Sequence, residues 1–203
     1  MTHDARLYAP SAARNRDPIG TVLRHQLPER GLVLEIASGS GEHVCHFAAA
    51  SGPELIFQPS EPDAKARASI DAWVGALDLK NVRAAIALDA TETWPITAAD
   101  VVIASNMIHI APWEAAMGLV KNAGRILPPG GMLFLYGPYR RAGIVMEPSN
   151  DAFDADLKRR NPAWGVRDLE AVAALAEAQG FAPPDVIEMP ANNLSVIFRK
   201  RGA

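Results

Sequence analysis

The chain has 203 residues, 49% of them hydrophobic, with a formal net charge of -3. That length buries a substantial core within one domain, 1–203, and the slight acidity gives no global attraction for nucleic acid, which is an unlikely partner. A lone cysteine, Cys45, rules out an internal disulfide, the opening MTHDARLYAPSAARNRD lacks a signal-peptide core, and no run reaches the about 18 apolar residues of a membrane span. A cytoplasmic location is expected, and the oligomeric state stays open.

Strand-like and helix-like segments alternate without repeats. Asp17-Pro18 is a good N-cap and first-turn pair, so a helix is expected there, with Ile19, Val22, Leu23 and Leu27 on one face. Residues 32–37 read as an apolar strand, a glycine turn follows, and a helix should leave it over 42–50. A short strand at 55–57 runs into QPSEPD. Residues 63–77 carry a helical stripe of Ile70, Trp73, Val74 and Leu77. Strands are expected at 82–88 and 100–104, a helix at 113–127 ended by PPGG, and a fifth strand at 132–136. Helices over 150–160 and 168–179 follow, the second stopped by Gly180. Two extended runs, 186–189 and 194–199, are joined by the short link PANN, which favours an antiparallel hairpin. The expected fold is α/β: seven strands, mostly parallel and closed by that hairpin, with helices on both faces.

The stretch LVLEIASGSGEH, residues 32–43, is the most telling. A glycine turn between strand and helix lets backbone N–H groups approach a ligand closely, because glycine has no Cβ. The dinucleotide fingerprint G-x-G-x-x-G needs a third glycine, and Val44 stands there instead. The donor motif of Rossmann-like methyltransferases, E/D-x-G-x-G-x-G, is met by Glu35, Gly39 and Gly41. Ala37 replaces its first glycine, which calls for an ordinary negative φ at that position. A carboxylate at the strand end suits a ligand with an ammonium group and would repel an NAD pyrophosphate. An NAD-dependent oxidoreductase is thus the less favoured reading.

Ligands of open parallel sheets bind beyond the carboxyl ends of the strands. Glu61, after the second strand, is placed to accept ribose hydroxyls. Asp89 and Ala90, after the third, suit an adenine amine and ring, and the duller role for Glu61 and Asp89 is capping. ASNMIH follows the fourth strand and LYGPYRR spans the end of the fifth. His43, Cys45 and His46 look like a metal cluster, but on a helix Cys45 points away from the two histidines and no second cluster adds ligands, so no metal is expected. Lys158, Arg159 and Arg160 read as a solvated helix face. His109 has two readings: a neutral imidazole that takes a proton from a nucleophile, or a hydrogen-bonded histidine that shapes the pocket.

With these residues assembled, the chain resembles an uncharacterised family of class I S-adenosylmethionine-dependent methyltransferases that includes methyltransferase-like protein 26. The resemblance is close to full length. It is carried by YAPSAARNRDPI (8–19), LEIASGSGEH (34–43), FQPSEPD (57–63), SNMIHIAPWE (105–114) and SNDAFDADLKRRNPAWGVRDLE (149–170). It implies a Rossmann-like class I fold with S-adenosylmethionine as cofactor. Glu35, Ala37, Gly39 and Gly41 would hold the methionine portion, Glu61 the ribose, Asp89 and Ala90 the adenine. Asn106 would position donor or acceptor. Arg14 and Asn15, in a segment 1–31 that closes over the cofactor, would complete the donor site. Tyr8, His109, Tyr136, Tyr139, Asn150, Phe153 and Trp164 would shape the acceptor pocket. The resemblance implies a donor site and not a substrate; the expected activity is in-line methyl transfer to a small molecule, with His109 as a candidate base, and the alternative is a donor-binding protein without turnover. The N-P-P-Y signature used on planar amines is absent, with SNMIH in its place.

Overall fold

A computed structural model describes residues 4–202, which fall into two compact units. The first runs to Asp89 and includes 99–103; the second comprises 90–98 and 104 onwards. The elements in chain order are α1 (Pro10–Arg24), β1 (Gly31–Ile36), α2 (Glu42–Ala49), β2 (Leu55–Pro59), α3 (Ala64–Ala76), β3 (Val101–Ser105), α4 (Trp113–Ile126), β4 (Met132–Gly137), β5 (Tyr139–Arg140), α5 (Pro148–Arg160), β6 (Arg167–Asp168), α6 (Leu169–Ala178), β7 (Asp185–Met189) and β8 (Asn193–Arg199). The main sheet has six strands in the order β2-β1-β3-β4-β8-β7, and β5 and β6 form a separate two-residue pair. Among the described residues no helix is long and apolar enough to cross a membrane.

In the first unit β1 and β2 pair in parallel, with Val33 opposite Phe57, both buried. The expected strand over 82–88 is not a strand; it reduces to isolated bridges at Val82 and Ile86, leaving six strands rather than seven. The cause is local. Pro59 has no amide hydrogen to continue the ladder. The Ala84 carbonyl is taken by the Gln58 side chain at 2.9 Å and the Ala85 N–H by Asp71 at 2.9 Å. Pairing resumes one residue late, with the Ile86 N–H on the Pro59 carbonyl at 3.1 Å.

α1 also departs from expectation. It starts at Pro10, not at Asp17, and carries Pro18 in its interior. Pro10 supplies the preset φ of a first helical residue. The Ala9 N–H just before it is held by buried Glu42 at 2.6 Å, a contact no local pattern announces. Ala12, Ile19 and Leu23 form the buried face of α1.

In the second unit the core is β4, buried along all six residues, paired antiparallel with β8, with β7 antiparallel beyond. The expected hairpin is therefore present, turning through Ala191 and Asn192, both at φ +57°. α4 buries Ala116, Leu119, Val120 and Ala123 at helical spacing.

Candidate functional site

The glycine turn of the first unit is built from backbone in unusual conformations. Ala37, Gly39 and Gly41 have φ of +54°, +55° and +93°. The negative φ expected at Ala37 is thus wrong: a residue with a Cβ sits in the left-handed region, at a cost of about 1–2 kcal/mol. What holds it there is a web of bonds to the end of β2. The Ser38 N–H donates to the Ser60 carbonyl at 2.9 Å, and the Ser60 N–H and hydroxyl both donate to the Glu35 carbonyl, at 2.9 and 2.7 Å. Gly41 is required for space as well as φ, since a Cβ there would lie 2.8 Å from Ile70 Cα. At Gly39 the same position is open.

Two carboxylates face this turn. Glu61 Oε2 accepts the Gly39 N–H at 3.0 Å, while its Oε1 has only a long bond, 3.4 Å, from the Asp63 N–H. Glu35 is buried, and among the described residues its Oε2 has no hydrogen-bond partner. Burial pushes its pKa up to about 7; a bond from Ser38 opposes this and the nearby Glu61 adds to it. A buried, unpartnered carboxylate oxygen costs stability, and an ammonium group is the kind of ligand that relieves it. The donor set thus fits the methionine end of S-adenosylmethionine: an acid for the ammonium group and a small-residue turn for close approach.

The N-terminal segment is strapped onto this unit. Ser69 accepts the Leu7 N–H at 2.7 Å, and Trp73 Nε1 donates to the Leu7 carbonyl at 3.0 Å. Tyr8 packs edge-on against Trp73, with centroids 5.1 Å apart, and is 64% exposed. Arg14 and Asn15 lie on α1, Arg14 exposed and Asn15 half-buried. Sequence reasoning missed Glu42, Ser69 and Trp73 as the anchors of this strap; only Glu42, directly after Gly41, carried any local hint. His43 is half-buried beside Phe47, with its pKa lowered to about 4 by desolvation. His46 lies 3.3 Å from Asp17. Among the described residues no three His, Cys, Asp or Glu side chains are grouped to hold a metal. Asp89 closes this unit and is exposed.

The second unit holds the other candidates. Ala90 packs its carbonyl onto Gly118 of α4, where a Cβ would collide with it. Asn106 has φ +59°, tolerated by Asn, with its N–H on the Tyr136 carbonyl at 2.7 Å. His109 closes the short turn after it and is wholly enclosed. Its Nδ1 accepts the Arg167 N–H at 3.3 Å, so the proton of the neutral ring sits on Nε2, which has no partner. Desolvation and, after it, the charge of Arg167 lower its pKa to about 3. A Cβ on Gly137, at φ +159°, would overlap His109 Nε2. The ring of Tyr139 stands edge-on to His109, with centroids 5.0 Å apart; its buried hydroxyl also lacks a partner.

Tyr136 is buried on β4, and burial raises its pKa. Asn150 is buried, its Nδ2 donating to the Asn192 carbonyl at 2.9 Å. Phe153 and Trp164 are half-buried, Trp164 beneath the Arg160 guanidinium at 5.2 Å. Tyr139 and Asn150 line one cavity and Trp164 another. Lys158 is more than a solvated face, since it pairs with Asp154 at 2.7 Å.

The fold is that of the S-adenosylmethionine-dependent methyltransferases. An O-methyltransferase family protein from Burkholderia thailandensis superposes with a TM-score of 0.80 at 18% identity, over 95% of this chain and 58% of that one. CalO1, a methyltransferase in calicheamicin biosynthesis in its SAH-bound form, gives 0.75 at 18% identity over 94% and 54%. Human N-acetylserotonin methyltransferase in complex with SAM gives 0.75 at 12% identity over 93% and 52%. The chain spans little more than half the length of each. Residues 6–200 match the model of the family described as protein of unknown function DUF938, and the chain belongs to that family.

Proposed function

We propose that the chain is an S-adenosylmethionine-dependent methyltransferase acting on a small-molecule acceptor. The observation that carries this reading is Glu35 Oε2, buried and unpartnered at the carboxyl end of β1 beside a left-handed turn. On this reading Glu35, Ala37, Gly39 and Gly41 hold the methionine portion. Glu61 offers Oε1 to the ribose while Oε2 keeps the Gly39 N–H in place. Asp89 and Ala90 take the adenine, Asn106 positions donor or acceptor, and Arg14 and Asn15, within the N-terminal segment 1–31, close over the site. When bound, S-adenosylmethionine supplies an electrophilic methyl group on a sulfonium. The protein's own task is alignment and exclusion of water, which suits in-line displacement.

Tyr136, Tyr139, Asn150, Phe153, Trp164 and His109 are proposed for the acceptor side, with Tyr8 at its margin. His109 acts as a base only if the ring becomes exposed and its proton shifts from Nε2 to Nδ1, freeing the Nε2 lone pair; as it stands it holds its neighbours in place. That enclosure favours, as a second reading, donor binding without turnover. We also propose that residues 1–203 form one methyltransferase domain and that DUF938 and the family of methyltransferase-like protein 26 are one group, on the motifs quoted above. A cytoplasmic setting is proposed on the buried lone Cys45, whose thiol burial pushes up to about 12.

Calorimetry of the full chain with S-adenosylhomocysteine tests the donor site. Binding is expected, and Glu35→Gln should abolish it while remaining folded. No binding by folded wild-type protein, or tighter binding of NAD, overturns the proposal. A methyl-release assay over a metabolite panel then separates turnover from binding alone.

A further inference from the structure

A second cleft in the second unit, of about 320 Å³, is unlike the rest of this acidic chain. Its lining includes Trp113, Arg140, Lys158, Trp164, Arg167 and Asp168. Arg140 and Lys158 both bond to one oxygen of Asp154, at 2.6 and 2.7 Å, and the other oxygen accepts the Val166 N–H at 2.8 Å. One carboxylate, with its bonding capacity used, therefore serves two cations. Arg167 has no carboxylate within ion-pair distance among the described residues. Its guanidinium donates instead to the carbonyls of Ile108, Ala111 and Ala163, at 2.9, 2.6 and 2.9 Å, and lies over the Trp113 ring at 5.6 Å. Nη1 makes no hydrogen bond, so two N–H donors remain for a ligand.

The first turn of α6 opens here through Ala171, and its N-cap residue Asp168 gives no side-chain capping bond, so first-turn amides add positive potential. Of the cleft's own lining, Arg140, Lys158 and Arg167 are cations and Asp168 is the acid, while Asp154 and Glu114, outside that lining, also act on Arg167. The half-buried indoles of Trp113 and Trp164 offer flat apolar walls.

We propose that this cleft binds a small aromatic oxyanion, an aryl carboxylate or aryl phosphate, with the charged group on Arg167 and Lys158 and the ring against the two tryptophans. The two free N–H groups on Arg167 Nη1 are charge-assisted donors, the strong kind of hydrogen bond to such a group. The site shares Trp164 with the proposed acceptor side but does not depend on the donor-site reading. It does bear on His109, because the Arg167 main-chain N–H is the bond that holds the His109 ring.

The test is NMR titration of the tryptophan indole N–H signals, with calorimetry, using benzoate and phenyl phosphate as probes and benzamide as the neutral isostere. Both anions should shift the Trp113 and Trp164 signals, assigned by Trp→Phe variants, and bind at least about tenfold more tightly than benzamide. Whichever anion binds more tightly identifies the oxyanion. Lys158→Gln should weaken binding several-fold, and Asp168→Asn should strengthen it, because it removes the acid that faces the ligand. Arg167→Lys, which removes the Nη1 donors, should also weaken binding several-fold, with circular dichroism to verify folding. Benzamide binding as well as benzoate, or an unchanged affinity in both Lys158→Gln and Asp168→Asn, overturns the proposal. So does the absence of indole shifts with either anion. Titration of the same samples with S-adenosylhomocysteine keeps failure of the donor site distinct from failure of this one.

Discussion

The glycine turn and the His109 niche each bury a titratable side chain with an unpartnered polar atom, and burial drives the two in opposite directions. Glu35 rises to about 7 and His109 falls to about 3, because desolvation disfavours whichever form is charged. The outcomes differ in use. On the proposed reading, a ligand's ammonium group recharges Glu35 at ordinary pH. His109 lies so far below neutrality that it is locked as a neutral donor. One orphan is responsive and the other is structural, a distinction drawn by how far burial moves each group.

The largest effect expected from breaking this contrast lies at the glycines. Gly41→Ala puts a Cβ against Ile70 Cα in left-handed backbone and should destabilise the first unit by about 2–4 kcal/mol. Gly137→Ala forces His109 from its niche and should cost a similar amount. Thermal unfolding measures both, and a loss below about 0.5 kcal/mol in either would show a looser site than the geometry implies.

Next in size is the pH response of Glu35. Its folded pKa lies above its ordinary 4.5, so the folded state holds the extra proton and the stabilisation is lost as pH rises from about 4.5 through about 7. Full ionisation costs on the order of 3 kcal/mol, so Glu35→Gln should raise the melting temperature at pH 8 and change little at pH 4. The same variant should lose donor affinity, and wild-type donor binding near pH 6.5 should release a proton, seen as buffer-dependent heat in calorimetry. For His109 the sign reverses. Its folded pKa is depressed, so stability is lost as pH falls from about 6.5 towards 3. His109→Asn should flatten that acid limb, and a methyl-transfer pH profile unmoved by the substitution would reserve for His109 a positioning role only.

The smallest change tests the turn itself. Ala37→Gly relieves the left-handed Cβ and should stabilise the protein, net of the glycine's greater unfolded-state freedom, by under about 1 kcal/mol. A clear destabilisation would mean the Ala37 methyl packs usefully.

The order of elements and the glycine turn were legible in the chain because both are local: helical stripes, strand ends and turn residues repeat at short spacing. The closing hairpin was legible for the same reason, through the short link between two apolar runs. The strand expected at 82–88 was not, because its fate rests on Pro59 in the neighbouring strand and on Gln58 and Asp71, which occupy the groups needed for a ladder. The left-handed Ala37, the strap on Ser69 and Trp73 and the start of α1 likewise depend on partners distant in sequence. So does the site chemistry. The sequence alone determined that an acid, Glu35, stands before a small-residue turn and that a histidine follows the fourth predicted strand. Only the tertiary structure decided that the acid is left unpartnered and that the histidine is enclosed, because burial and hydrogen-bond supply are properties of the packed environment and not of the residue.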